Sequence, residues 1–128
     1  MRSVVICGSR RFEKDIRKFA AVLRKKGVMV YEPFLNKNTK ISELTPDLKK
    51  FAFLGLTLHH FDFIRKADTV FIFNKAGYMG VSTTLELGFA EALGKPIFAL
   101  SGNDTESARQ VLLGEIVKTP AELIKKIK

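Results

Sequence analysis

The sequence predicts a single-domain α/β fold: a doubly wound, five-stranded parallel sheet in the order 2-1-3-4-5, the flavodoxin-like form of the Rossmann-like architecture. At 128 residues the chain can form one hydrophobic core but not two, so residues 1–128 are expected to be one domain. Short, unbroken apolar runs alternate with longer amphipathic stretches, which is typical of a parallel sheet covered by helices on both faces. In this strand order a crevice opens where strands one and three end.

The first half of the chain begins as strand, helix, strand. Ser3–Cys7 is a short apolar run, as expected for a strand that is buried on both faces. Glu13–Lys26 carries apolar residues at helical spacing, and Gly27 follows as a stop signal. Val28–Tyr31 is predicted to be the second strand. The polar stretch from Glu32 to Thr45 is a long loop, and loops of that length are often functional or mobile.

A long helix is predicted to begin at Thr45 and to end near Lys66. Thr45 can cap the helix, Pro46 suits its first position and Asp47 places an acid in the first turn. A strand is the alternative, because some apolar residues partly alternate: Phe51, Phe53, Leu56 and Leu58. The helix is favoured, since the apolar pattern continues to Ile64 at the longer period without a turn signal.

The second half of the chain continues the alternation of strands and helices. Thr119 to Glu122 forms a capping box with proline inside it, which predicts the start of the last helix. The predicted elements are, in order, strand Asp68–Asn74, helix Thr83–Leu93, strand Pro96–Leu100, helix Ser107–Leu113, strand Glu115–Lys118 and helix Thr119–Lys128.

The composition indicates a basic globular protein. Lys and Arg number 22 against 13 Asp and Glu, a formal charge of +9, which attracts anions such as nucleotides, nucleic acid or acidic lipid. A nucleic-acid groove is the less favoured interpretation, because no nucleic-acid-binding motif accompanies the lysines, which solvation of exposed helix faces explains.

The single cysteine and the hydropathy pattern bear on compartment. Cys7 has no partner for an intrachain disulfide, and a buried, inert thiol is favoured over a nucleophile. Residues 1–10 lack the pattern of a signal peptide, and no apolar run reaches the roughly 18 residues that span a bilayer. A cytoplasmic protein without a membrane partner is therefore expected.

The first candidate loop, Gly8–Phe12, follows strand one. Gly8 would let a ligand approach the backbone, Ser9 can donate to an anion, and Arg10 or Arg11 can pair with phosphate oxygens. The alternative is that Gly8 only makes a turn while the arginines lie in water.

The second candidate loop, Lys75–Ser82, follows strand three and leads into a helix. Gly80 loosens the backbone before the helix, and free amides with the Ser82 and Thr83 hydroxyls favour an anion there. Glu86 lies one turn inside, where a carboxylate could attack or stabilise an anomeric carbon. The alternative is a capping box, Thr83-x-x-Glu86, in which Glu86 folds back on the Thr83 amide.

For other side chains near these loops, the sequence gives weaker indications of a functional role. His59 and His60 point about 100° apart on a helix and cannot easily share a metal ion, so no metal site is expected, and one of them would face the crevice. Asn74 ends strand three where ligands bind in such sheets, and Asn74 and His60 are expected to contact the sugar of the substrate. Tyr78 could stack on a base or simply pack. No cofactor is implied.

Three stretches together resemble the nucleoside 2-deoxyribosyltransferase superfamily, which includes deoxynucleoside-monophosphate N-glycosidases. They are His60–Asp68, Phe73–Gly80 and Ser82–Ala90, followed by Gly94-Lys95-Pro96. The similarity runs from the first strand through Leu100 and is most specific between residues 60 and 96.

The resemblance implies roles for particular residues. The family's nucleophilic glutamate, in an E-L-G-x-A helix, corresponds to Glu86. The residues that hold a 5′-phosphate correspond to Gly80, Ser82 and Thr83, and Gly8-Ser9-Arg10 resembles the first-strand loop that also touches phosphate. The resemblance therefore implies a nucleoside or nucleotide as the small-molecule partner, and self-association into a dimer or larger oligomer.

The chain departs from the family at one position. The aspartate that orients deoxyribose is expected eight residues before Asp68, where this chain has His60, and Asp62 is out of register by two. A histidine can hydrogen-bond to a hydroxyl but supplies no fixed negative charge. Three alternatives stay open. The departure at His60 favours a nucleotide-binding module without turnover, and the basic charge allows a nucleic-acid binder. The stretches Cys7-Gly8-Ser9 and Ser82-Thr83-x-x-Glu86 also faintly resemble the cytokinin-activating phosphoribohydrolases, which would give a third alternative.

Overall fold

The computed structural model describes residues 2–33 and 43–127. Within these ranges, five strands form one parallel sheet in the order β2-β1-β3-β4-β5. The strands are β1 Ser3–Gly8, β2 Met29–Tyr31, β3 Thr69–Phe73, β4 Ile97–Ala99 and β5 Glu115–Ile116. The predicted α/β fold and its strand order are confirmed. Residues 34–42, most of the predicted polar loop, lie outside the described residues, as does the final Lys128.

The helices of the described chain cover both faces of the sheet. They are α1 Glu13–Lys25, α2 Pro46–Lys66, α3 Val81–Ala92, α4 Ser107–Gln110 and α5 Pro120–Lys126. One core layer joins alternate residues of β1 and β3 to α1 and α5. The other joins the intervening residues to α2, α3 and the segment after α4. Because side chains alternate along a strand, Ile6 faces the first layer and Cys7 the second.

The start of α2 follows the local chemistry predicted for it. The Thr45 side chain accepts a hydrogen bond from the Leu48 amide at 3.4 Å, and Pro46 occupies the first turn. The helix is continuous to Lys66, so the alternative of a strand in this stretch is wrong. None of the described helices is both long and apolar enough to cross a bilayer.

Several element boundaries differ from the prediction by a few residues, and the differences at α3 and α4 affect the site. α3 begins at Val81 rather than Thr83, because Gly80 has the extended backbone of an N-cap and its carbonyl accepts the Thr84 amide at 3.0 Å. α4 ends at Gln110 rather than Leu113. Beyond it the chain turns at Gly114, which has a φ of +67° and lies so close to the Ile97 carbonyl that a Cβ would be 2.0 Å from that oxygen.

Candidate functional site

The two candidate loops meet at the carboxyl ends of β1 and β3. These strands are neighbours, with Gly8 in register with Phe73. Beyond them, the Arg11 guanidinium lies 3.5 Å from the centre of the Tyr78 ring, and the Phe12 ring meets Tyr78 edge-on at 6.0 Å. The juxtaposition predicted from strand order is therefore present in the structure.

The first loop is shaped by packing as well as by its polar groups. A Cβ on Gly8 would lie 2.7 Å from Ile16 Cδ1 and 3.1 Å from the Phe73 carbonyl oxygen, so contacts within the protein explain this glycine. The Ser9 side chain accepts a hydrogen bond from the Arg11 amide at 3.3 Å and caps a short 3-10 turn. Arg10 is exposed and lies 3.6 Å from Glu13.

An open cavity of about 630 Å³ lies beside this turn, bordered by residues 10–15. Its charged lining residues are of both signs: Arg10, Arg11 and Lys14 are positive, whereas Glu13 and Asp15 are negative. The cavity therefore offers an anion space and cationic partners, with two carboxylates that oppose its binding.

Glu86 is buried on the second turn of α3, and the capping-box interpretation is wrong. Gly80 is the N-cap, so Thr83 is the third residue of the helix and is itself buried. The hydroxyl that does bond within the first turn is that of Thr84, which donates to the Gly80 carbonyl at 2.8 Å. Glu86 is instead directed at His60 and Cys7.

Three side chains from three elements form what we call the Cys7–His60–Glu86 cluster. Cys7 Sγ at the end of β1 lies 3.4 Å from His60 Nε2 on α2, which lies 3.8 Å from Glu86 Oε1 on α3. All three residues are buried, with Glu86 8% exposed. The topology is the cause, since α2 and α3 pack together on the same face of the sheet that receives Cys7.

Burial sets the protonation of the cluster. It raises the pKa of Glu86 to about 8, a rise that a hydrogen bond with the Cys7 side chain opposes. It lowers the pKa of His60 to about 4, with a further contribution from neighbouring His59. Burial and the adjacent Glu86 raise the pKa of Cys7 well above its usual range. At pH 7 the neutral thiol, imidazole and carboxylic acid therefore predominate.

The remaining predicted residues have different surroundings. Asn74 is fully buried, its amide nitrogen donating to the Ser101 carbonyl at 2.8 Å and its oxygen accepting the Ser101 amide at 2.9 Å. These bonds join the ends of β3 and β4. Ser82 is exposed on the first turn of α3, and Gly80 is the N-cap residue of that helix. Asp62 lies 2.8 Å from Lys66 in an exposed ion pair, outside the cluster.

Sequence reasoning missed an ion pair that holds the second loop. Asp104 accepts two hydrogen bonds from Arg109, each 2.8 Å long, and Arg109 also reaches the Thr84 hydroxyl at 3.3 Å and the Met79 carbonyl at 3.5 Å. No motif marks this pair, because only the neighbouring positions of β3 and β4 bring residues 104–109 beside the start of α3.

Comparisons with known proteins agree with this architecture. No protein-family model matches the chain, and no curated protein matches it. Among solved structures, a 2-deoxyribosyltransferase from the psychrotolerant bacterium Bacillus psychrosaccharolyticus superposes with a TM-score of 0.64 at 22% identity, covering 94% of this chain and 89% of its own.

Two further solved structures are similar over nearly their whole length. A conserved protein from Enterococcus faecalis V583 gives a TM-score of 0.60 at 18% identity, covering 98% of this chain and 96% of its own. The CMP N-glycosidase of Clostridium botulinum gives 0.55 at 20% identity, covering 98% and 97%. The chain therefore has the α/β fold of a solved 2-deoxyribosyltransferase and a solved CMP N-glycosidase, as the sequence resemblance predicted.

Proposed function

We propose that this protein belongs to the nucleoside 2-deoxyribosyltransferase superfamily and cleaves or transfers the N-glycosidic bond of a nucleoside or nucleotide. The observation that carries the proposal is the position of Glu86. Its buried carboxyl group lies 3.8 Å from His60 Nε2, which in turn lies 3.4 Å from Sγ of Cys7, the residue before the first candidate loop. The shared fold with a deoxyribosyltransferase and a CMP N-glycosidase supports the same reaction class.

Glu86 is the proposed nucleophile. Its ionised carboxylate attacks the anomeric carbon, the C–N bond breaks, and the electron pair of that bond leaves with the base, which takes up a proton. Water or a second base then displaces Glu86, giving hydrolysis or transfer. Burial disfavours the carboxylate in the resting protein, and the developing positive charge on the sugar favours it during attack.

The joined loops are the proposed substrate cradle. Ser9, Arg10, Gly80 and Ser82 would hold a phosphate, with the uncapped amides at the start of α3 contributing. Tyr78 would stack on the base. Thr83, Asn74 and His60 are buried, so their proposed contribution is to position the loop, the strand end and Glu86.

Base release from a panel of ribo- and deoxyribonucleosides and their 5′-monophosphates tests the proposal. Glu86→Gln keeps the shape but removes the nucleophile, and we expect a loss of roughly 10⁴-fold or more in kcat/KM. Glu91→Gln is the matched control, because Glu91 is exposed on the same helix. Absence of base release from every substrate, or full activity in Glu86→Gln, would contradict the proposal. Release confined to ribonucleotides would favour a phosphoribohydrolase.

Nucleotide binding without turnover is the second candidate. It is favoured by two observations: His60 stands where the resemblance calls for an aspartate, and burial raises the pKa of Glu86 to about 8, which disfavours its carboxylate form at pH 7. Calorimetry that detects nucleotide binding in a protein that releases no base would support this function. Salt-dependent binding of oligonucleotides in place of mononucleotides would instead indicate a nucleic-acid binder.

We also propose that the protein self-associates through an apolar surface on α2. Four residues recur at helical spacing on one side of this helix and are 51–72% exposed: Leu48, Phe51, Leu54 and Leu58. Exposed apolar patches of this kind mark interaction sites.

Light scattering tests this self-association: it should give a mass above 14.4 kDa for the wild type and a lower mass for Phe51→Lys. Val111→Lys is the control, since Val111 is exposed elsewhere, and a monomeric wild type would refute the idea.

A further inference from the structure

The Cys7–His60–Glu86 cluster contains three different metal-binding groups. The thiol comes from β1, the imidazole from α2 and the carboxyl from α3, and one ligand atom of each lies within 4.8 Å of the others. The sequence predicted no metal site, because it shows no partnered set of Cys and His residues and because His59 and His60 point apart on a helix. In the structure His60 turns into the protein, while the His59 ring packs edge-on against Phe63 at 4.4 Å.

The spacing of the ligand atoms suits a tetrahedral zinc ion. Zn–S bonds of about 2.3 Å and Zn–N or Zn–O bonds of about 2.0–2.1 Å place ligand atoms roughly 3.3–3.6 Å apart around a tetrahedron. The observed separations are 3.4 Å from Cys7 Sγ to His60 Nε2 and 3.8 Å from His60 Nε2 to Glu86 Oε1. Side-chain adjustments of well under 1 Å would bring these two distances into that range.

The surroundings of the cluster also suit a bound zinc ion. A thiolate, a carboxylate and a neutral imidazole neutralise the charge of Zn²⁺, so the complex can be buried without an uncompensated charge. Three protein ligands leave a fourth position for water or another small ligand, as in zinc sites that exchange ligands.

We propose that Cys7, His60 and Glu86 bind one Zn²⁺ ion. The ligand atoms come from three elements of a well-packed core, so little conformational entropy is lost when they close around the ion. A carboxylate that ligates zinc cannot attack a sugar at the same time. Zinc is therefore an inhibitor of glycosyl transfer, a consequence that rests on the proposed function, whereas the binding site itself does not.

Cobalt substitution tests the site directly. The full chain, treated with a chelator and titrated with Co²⁺, should take up one ion per chain and develop a thiolate-to-cobalt absorption band with the visible bands of tetrahedral Co²⁺. Cys7 is the only cysteine, so any thiolate band must come from it. Added Zn²⁺ should displace the cobalt and abolish the spectrum.

Matched variants separate this site from surface binding. Cys7→Ser should lose the thiolate band, and His60→Gln should bind Co²⁺ at least about 100-fold more weakly, while His59→Gln should bind as the wild type does. Circular dichroism and thermal melting identify any variant that fails to fold. If Cys7→Ser does not fold, His60→Gln against His59→Gln decides the question with the cysteine intact.

The zinc-site proposal and the proposed glycosidase activity can be refuted independently of each other. A wild type without a thiolate band at stoichiometric Co²⁺, or equal weakening by His59→Gln and His60→Gln, overturns the zinc proposal whatever the enzyme assay shows. A protein that gives the predicted spectrum but releases no base with or without chelator retains the site and refutes the glycosidase. If the protein gives the predicted cobalt spectrum but its base-release activity is the same with and without zinc, the proposed inhibition by zinc is refuted.

Discussion

Asn74 offers a sharp test of the fold around the site, because a sequence-based role in substrate binding and a structural role predict different results. Its side chain makes two hydrogen bonds to the backbone of Ser101, and both residues are buried. Asn74→Ala removes both bonds and leaves the Ser101 N–H and C=O without these partners.

The expected loss in free energy of unfolding follows from the two backbone groups of Ser101 that lose their partners. Each buried backbone group left unsatisfied costs about 1–3 kcal/mol, so the loss of two partners should lower the free energy of unfolding by roughly 2–6 kcal/mol. With a urea m-value of about 1–3 kcal/mol/M, a loss of 3 kcal/mol moves the urea midpoint down by about 1–3 M. Equilibrium unfolding in urea, followed by circular dichroism, measures this shift.

The control for Asn74→Ala is Asn103→Ala. Asn103 is exposed, and its side chain carries no hydrogen bond comparable to those of Asn74, so we expect a change within about 0.5 kcal/mol. Equal stability of the Asn74→Ala variant and the wild type would refute the structural role. An unchanged urea midpoint together with a large rise in KM would instead support a role for Asn74 in substrate binding.

Two further predictions concern the ion pair beside the second loop and a strained glycine. The hydrogen bonds from Arg109 hold the pKa of Asp104 below its usual range, so the stability that Asp104 contributes is present above the unfolded pKa of about 3.9 and is lost as pH falls through the lower folded pKa. Asp104→Asn should therefore be destabilised at pH 7, and its deficit in urea midpoint should shrink below pH 4; a deficit that is constant with pH would contradict the ion pair. Gly114→Ala should lower the free energy of unfolding by roughly 2–4 kcal/mol, since it combines a φ of +67° with a Cβ 2.0 Å from the Ile97 carbonyl oxygen. Gly55→Ala is its control, because Gly55 lies inside α2 with open space around a Cβ, and it should gain about 0.5–1 kcal/mol; similar effects of the two alanines on the urea midpoint would refute the strain at Gly114.

Local signals in the sequence were sufficient for the element types and the strand order. Thr45 and Pro46 predicted the start of α2, because a cap and a first-turn proline act through bonds to the next few residues. The unbroken apolar runs at Ser3–Cys7 and Asp68–Asn74 predicted buried parallel strands, since only a sheet covered on both faces buries every residue of a strand. The strand order then brought the two candidate loops together.

Contacts between distant residues decided the rest, and spacing along the chain does not encode them. Thr83-x-x-Glu86 has the pattern of a capping box, but packing starts α3 at Val81 and turns Glu86 toward Cys7, 79 positions earlier in the chain. Asn74 could be placed at a strand end, but only the adjacency of β3 and β4 shows that Ser101 occupies its side chain. The Cys7–His60–Glu86 cluster exists because one strand and two helices close on the same face of the sheet. Such a meeting depends on the three-dimensional packing of the whole domain.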